Sequence, residues 1–141
     1  MSENTSVSTP AGAHAGPHAG PHAGGPDLGD LVGEWLDWKA AGAALGVSVS
    51  KVRQLIREHQ LAAAVPREGA GQQVPAALIM DGEIVKGVPG LLTLLHDGMY
   101  DDREILAWLF TPDDSLPGRP IDALRENRGS EVKRRAQAMS L

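Results

Sequence analysis

Between Trp38 and Ala63 the apolar positions recur with a helical period, break once, and resume. Ala40, Ala41, Ala44 and Leu45 fall at the three- and four-residue spacing of one helix face. Gly46 follows, a residue that tolerates the left-handed backbone of a helix end. Ser48 suits the N-cap of a second helix, in which Val49, Val52 and Ile56 make an apolar stripe. Ser50, Lys51, Arg53, Gln54 and Arg57 lie off that stripe. The pattern predicts two short helices joined by a tight turn, the second with one buried face and one Arg/Lys/Gln/Ser face. A helix that reads the DNA major groove needs both: one face to hold it, one to meet base edges and phosphates.

The same reading extends along the chain. Leu31, Val32, Trp35 and Leu36 are apolar at near-helical spacing. Leu61 to Val65 and Gln73 to Met80 are apolar or strand-compatible, and the Gly/Pro-rich PREGAGQ between them predicts a hairpin loop carrying Arg67. A helical pair followed by a hairpin is a winged helix–turn–helix arrangement. Asp81-Gly82 predicts a turn, and residues 89–96 a helix ended by Asp97-Gly98. Asp101 and Glu104 have capping-box spacing ahead of a largely apolar helix that Pro112 ends. Pro120 opens a helix with Ile121 and Leu124, and Ser130 is the expected cap of a last helix with Val132, Ala136 and Met139. The expected core is small and aliphatic, with Trp35, Trp38, Tyr100, Trp108 and Phe110 as its large members.

Residues 1–29 break the pattern. They are rich in Ser, Thr, Gly, Pro, Ala and His, with an HAGP unit starting at His14 and again at His18, and cut short at His22. Such a stretch buries too little apolar surface to offset its ordering entropy, so a disordered tail is expected. The expected organisation is a tail over 1–29, a winged helix–turn–helix over 30–80 and a C-terminal helical bundle over 81–141. The fold class is mainly α with a small β-hairpin wing.

Charge sharpens this picture. The chain carries a net charge of −5, which argues against a nucleic-acid partner taken globally. Locally the sign reverses. Residues 39–75 hold Lys39, Lys51, Arg53, Arg57 and Arg67 against Glu58 and Glu68, a net +3. The positive charge thus sits on the helical pair, where phosphate contacts would be made. The chain has no cysteine, which removes disulfides and thiolate metal sites. No apolar run approaches the roughly 18–20 residues of a membrane helix, and no signal peptide is evident. A cytoplasmic, nucleoid-associated protein that does not engage a membrane is expected. With no long heptad helix, a monomer is expected.

WKAAGAALGVSVSKVRQLIREHQLAAAV resembles the winged helix–turn–helix of the excisionase/MerR type, with its Ala-rich first helix, GVS turn and VxxLIRxxxL second helix. LGVSVSKV, VKGVPGLLTLLHDGMYDDREILAWLFTPDDSL, RPIDAL and EVKRRAQAM carry a closer resemblance to small actinobacterial winged helix–turn–helix DNA-binding proteins that are serine/threonine-kinase substrates. This resemblance spans nearly all of residues 31–141 and none of the tail. It implies a DNA-binding transcriptional regulator and a protein kinase as a second partner. WLFTPDDSLPGRPIDAL is similar to the C-terminal domain of Xre/MbcA-type antitoxins, which implies the alternative of a protein-interaction module whose helical pair is only scaffold.

Ser48, Ser50, Lys51, Arg53, Gln54 and Arg57 are therefore the expected DNA-facing residues, with Arg67 reaching from the wing. The resemblance implies a regulatory phosphothreonine in the tail, where Thr5 and Thr9 are the candidates. No phosphate-binding loop or nucleophile elbow is present, so no catalysis, and no cofactor, is expected. His14, His18 and His22 could touch a metal only weakly from a flexible tail, and no metal is assigned. His59 and His96 lack an HExxH-type partner and read as surface or helix-end residues.

Overall fold

The computed structural model describes residues 27–116 and 118–140. The HAGP repeats and both candidate threonines lie outside the described residues. The elements run α1 (Leu28–Val32), β1 (Trp35–Leu36), α2 (Trp38–Leu45), α3 (Val49–Arg57), β2 (Val74–Pro75), a 3₁₀ turn (Ala76–Leu78), β3 (Ile79–Met80), β4 (Glu83–Ile84), α4 (Val88–Asp97), α5 (Asp102–Phe110), α6 (Pro120–Arg125) and α7 (Gly129–Met139).

The helical pair forms as its residues dictate. Asp37 caps α2, its carboxylate accepting the Ala40 N–H at 2.8 Å. Gly46, at φ 72°, ends that helix, its N–H bonded to Ala43 O and the Val47 N–H to Gly42 O. These are the paired bonds of a Schellman end. Gly42 matters as much. A Cβ there would stand 2.7 Å from the Val47 carbonyl oxygen, so only a glycine lets the turn fold so closely onto α2. Ser48 then caps α3, accepting the Lys51 N–H at 3.0 Å.

Several expected elements differ. Leu28 is buried and α1 begins there, earlier than the expected start of the fold. Trp35 and Leu36 continue no helix. Gly33 ends α1, and the two residues form β1, antiparallel to β2 with Trp35 opposite Pro75. The expected hairpin is reduced to one bridge, Ala64 with Gln73, which closes the loop over residues 65–72. The reason lies in where the backbone donors go. The Leu61 N–H bonds Leu55 O at 3.3 Å and the Ala63 N–H bonds an Asp102 carboxylate oxygen at 3.2 Å, while Pro66 has no donor. Among the described residues the one regular hairpin is β3–β4, turned by Asp81 at φ 55° and Gly82 at φ 79°. Positive φ at both positions is the type I′ geometry that matches strand twist.

The capping box at Asp101 and Glu104 is formed in both directions, at 2.8 and 2.9 Å. Ser130 is not a cap: α7 begins at Gly129, with Arg128 in the cap position and no side-chain bond. Arg119 pairs with Asp122 at 2.9 Å and lies over the Phe110 ring. That guanidinium holds the Asp122 carboxyl below its ordinary range.

One cluster of buried side chains runs from Leu28 to Ala136, through both expected segments. Phe110 is its largest fully buried member, whereas Trp35, Trp38, Trp108 and Tyr100 pack at its edge. Polar ties cross the same boundary. Arg103 donates to Val65 O at 3.0 Å, and Arg125 to Ala77 O and Ile79 O at 2.8 and 3.3 Å. The winged unit is thus seated on α4–α7.

Met99 ends α4 at φ 75°, with the Met99 N–H on His96 O and the Tyr100 N–H on Leu95 O, and is 87% exposed. A side chain in that conformation costs about 1–2 kcal/mol, offset in part by the roughly 0.5–1 kcal/mol of extra chain entropy a glycine loses. Met99→Gly should therefore raise stability by up to about 1 kcal/mol, read as a higher urea midpoint at unchanged slope. An unchanged or lower midpoint would contradict this.

Candidate nucleic-acid interface

The buried side of α3 is Val52, fully buried, with Leu55 and Ile56 partly buried beside it. Val49 is not part of it. It is 40% exposed: it opens α3 at the border between the buried stripe and the outward positions, one turn before Arg53. Arg57 follows one turn later. The outward face is therefore a row of Val49, Arg53 and Arg57, flanked by Ser50, Gln54 and Lys51.

Each expected site residue has a definite place. Ser50, Lys51, Arg53 and Arg57 are exposed on α3. Ser48 is exposed too, but its oxygen is engaged in capping. Gln54 donates its amide to a Glu58 carboxylate oxygen at 3.0 Å, so it is braced along the helix rather than free. Arg67 is exposed in the 65–72 loop, apart from the α3 row in sequence and held on a turn closed by the Ala70 N–H on its carbonyl at 3.1 Å. Val49 is the residue that sequence periodicity misassigned. Its spacing to Val52 and Ile56 favours the buried stripe, and only its place at the first position of α3 leaves it uncovered.

The distribution of partners separates this surface from the rest. Among the described residues, Lys39, Lys51, Arg53, Arg57 and Arg67 make no side-chain hydrogen bond or ion pair. In the C-terminal half, Arg103 and Arg125 are bound to backbone carbonyls, and Arg119 to Asp122. Arg128 is held by Glu126 and Arg135 by Ser115. Lys86, Lys133 and Arg134 remain unpaired there. A cation already paired with a carboxylate offers little to a phosphate. The unengaged guanidinium groups are concentrated where the helical pair presents them.

Two helices about a tight turn, a strand pair behind them and a bridge-closed loop make a winged helix–turn–helix. Residues 27–79 match the family described as DNA-binding protein Rv2175c, wHTH domain, and residues 85–140 match the Rv2175c C-terminal domain of unknown function. The chain belongs to this family. It is similar to DNA-binding protein Rv2175c of Mycobacterium tuberculosis (strain ATCC 25618 / H37Rv), 48% identical over 109 residues, covering 68% of this chain and 73% of the relative. It is also similar to the NMR structure of Rv2175c, with a TM-score of 0.70 at 44% identity, over 77% of this chain and 82% of that one. Among the described residues no helix is long and apolar enough to cross a membrane.

Proposed function

We propose that this chain binds DNA through α3 and acts as a transcriptional regulator rather than an enzyme. The observation that carries the reading is the exposed, unengaged row of Arg53 and Arg57 beside Lys51, on a helix whose opposite face is held by Val52. The N-terminal turn of such a helix enters the major groove. There Ser50 is positioned to meet base edges and Val49 to pack on a thymine methyl. Arg53, Arg57 and Lys51 then contact phosphates, and Arg67 reaches a neighbouring phosphate from the wing. The name of the relative, a DNA-binding protein, supports the same reading. The alternative, a partner-binding module with the helical pair as scaffold, would bury this face against the C-terminal helices, and the face is open.

The test is a titration of the labelled protein with a short duplex, followed by amide NMR. Shifts should concentrate at residues 48–57 and 65–72. Shifts confined to α6 and α7 would place the interface elsewhere and favour the partner-binding reading.

The reading extends to control by a serine/threonine kinase. The segment before Asp27 holds Glu3 as its one charged side chain and carries Thr5 and Thr9. A phosphate on either adds about −1.5 to −2 charge at neutral pH. It would compete with DNA for Lys51, Arg53 and Arg57, with tethering raising its effective concentration. Phosphorylation should weaken DNA binding at low salt, and the deficit should shrink as the screening length falls below about 8 Å. Equal low-salt affinity of the phosphorylated and unmodified proteins would show that the tail is no electrostatic switch. In this account the protein works as a cytoplasmic, nucleoid-associated monomer.

A further inference from the structure

We propose that His59, His96 and Asp102 bind one divalent transition-metal ion of the zinc class where the reader helix meets the C-terminal helices. One ligand atom from each of the three lies within 4.8 Å of the others. A tetrahedral zinc with bonds of about 2.0–2.1 Å sets its ligands roughly 3.3 Å apart, so closure asks for movements of about 1.5 Å. Side-chain torsions supply that. Two imidazoles and one carboxylate leave a fourth position for water, and imidazole suits zinc, copper and nickel.

The cluster is built by the fold. His59 follows α3 at φ 59°, its N–H on Ile56 O and the Gln60 N–H on Leu55 O, so the helix end fixes its position. His96 stands in the last turn of α4, and Asp102 opens α5. The two imidazole rings stack with centroids 3.8 Å apart. His96 Nε2 lies 2.6 Å from Asp102 Oδ1. The second carboxylate oxygen accepts the Ala63 N–H at 3.2 Å, which orients Oδ1 as a ligand. Such an outer hydrogen bond is what metal-binding carboxylates use.

His59 is the residue that lacks a partner. Its Nδ1 is buried with no hydrogen bond among the described residues, and buried ring nitrogens ordinarily have one. With the rings stacked and tilted by only 22°, each ring's nitrogen lone pairs lie in its own plane, and two nearly parallel planes do not converge on one ion. Binding would swing one imidazole out of the stack so that both nitrogens converge, with the ion taking the place of the proton between His96 and Asp102. Both of those side chains are about one-fifth exposed, which leaves a way in. The ion would clamp the end of α3 to α4 and α5.

The test uses the full chain carrying His14→Ala, His18→Ala and His22→Ala, so that the tail imidazoles cannot compete. Zn²⁺ is titrated calorimetrically and by ring NMR of the remaining histidines. We expect one ion per chain, shifts at both His59 and His96, and a melting temperature that rises with Zn²⁺. Adding His59→Asn, which keeps a residue tolerant of positive φ, should weaken binding by about 100-fold or more while the metal-free melting curve stays close to the parent. His96→Gln should weaken it similarly. No binding, binding without shifts at these two rings, or undiminished affinity in both variants would overturn the proposal.

Discussion

The Arg53→Ala/Arg57→Ala protein is expected to bind DNA about 100-fold more weakly than the parent, with its salt slope lowered by about 2. The two guanidinium groups sit one turn apart on the open face of α3 and are engaged with no other group of the described protein. Nothing in the fold leans on them, so stability should stay within about 0.5 kcal/mol of the parent, the range of ordinary surface changes. Loss of binding with a preserved melting curve therefore assigns the defect to contact, not to folding. Unchanged affinity would remove α3 from the interface. Arg103→Ala/Arg125→Ala is the informative contrast. Those side chains bond carbonyls at Val65, Ala77 and Ile79, so their loss should lower stability first.

Val52→Asp should unfold the helix–turn–helix. Val52 has no solvent exposure and packs beneath the turn, its Cγ2 3.6 Å from where a Cβ on Gly42 would stand. A carboxylate there has no cation to pair with and no water, a penalty of at least several kcal/mol. Domains of this size hold about 5–15 kcal/mol in all. The expected result is collapsed amide dispersion and loss of a cooperative thermal transition. Val52→Ala should keep the fold at a cost of roughly 1–3 kcal/mol, by loss of buried methyls. A cooperative Val52→Asp protein with parental melting would contradict the assignment of Val52 to the buried face.

The helical pair was legible because its determinants are local. Gly46, Ser48 and the charged positions of α3 act within one or two turns, and all do in the structure what their types favour. The capping box at Asp101 was legible for the same reason. The failures share a cause as well. Val49 repeats at helical spacing with Val52 and Ile56, yet it is the first residue of α3 and is 40% exposed. Trp35 and Leu36 became a strand because Val74 and Pro75 lie beside them, a pairing that no local pattern announces. The wing's backbone donors went to Leu55 and Asp102, both outside the segment that looked like a hairpin. Gln54 is an expected DNA-facing position, but Glu58, one turn on, takes its amide. His59, Met99 and Asn127 end helices at positive φ where a glycine is the usual signal, so those ends were hidden. Stacking of His59 on His96 depends wholly on how α3 and α4 dock.

If this acidic chain engages DNA through its locally basic helical pair, its binding must depend steeply on salt. The measurement that tests it most directly is a titration of a generic duplex at a series of salt concentrations. With roughly 3–5 phosphate contacts, log affinity should fall against log salt with a slope of about −3 to −4. A flat response, or no binding at low salt, would contradict it.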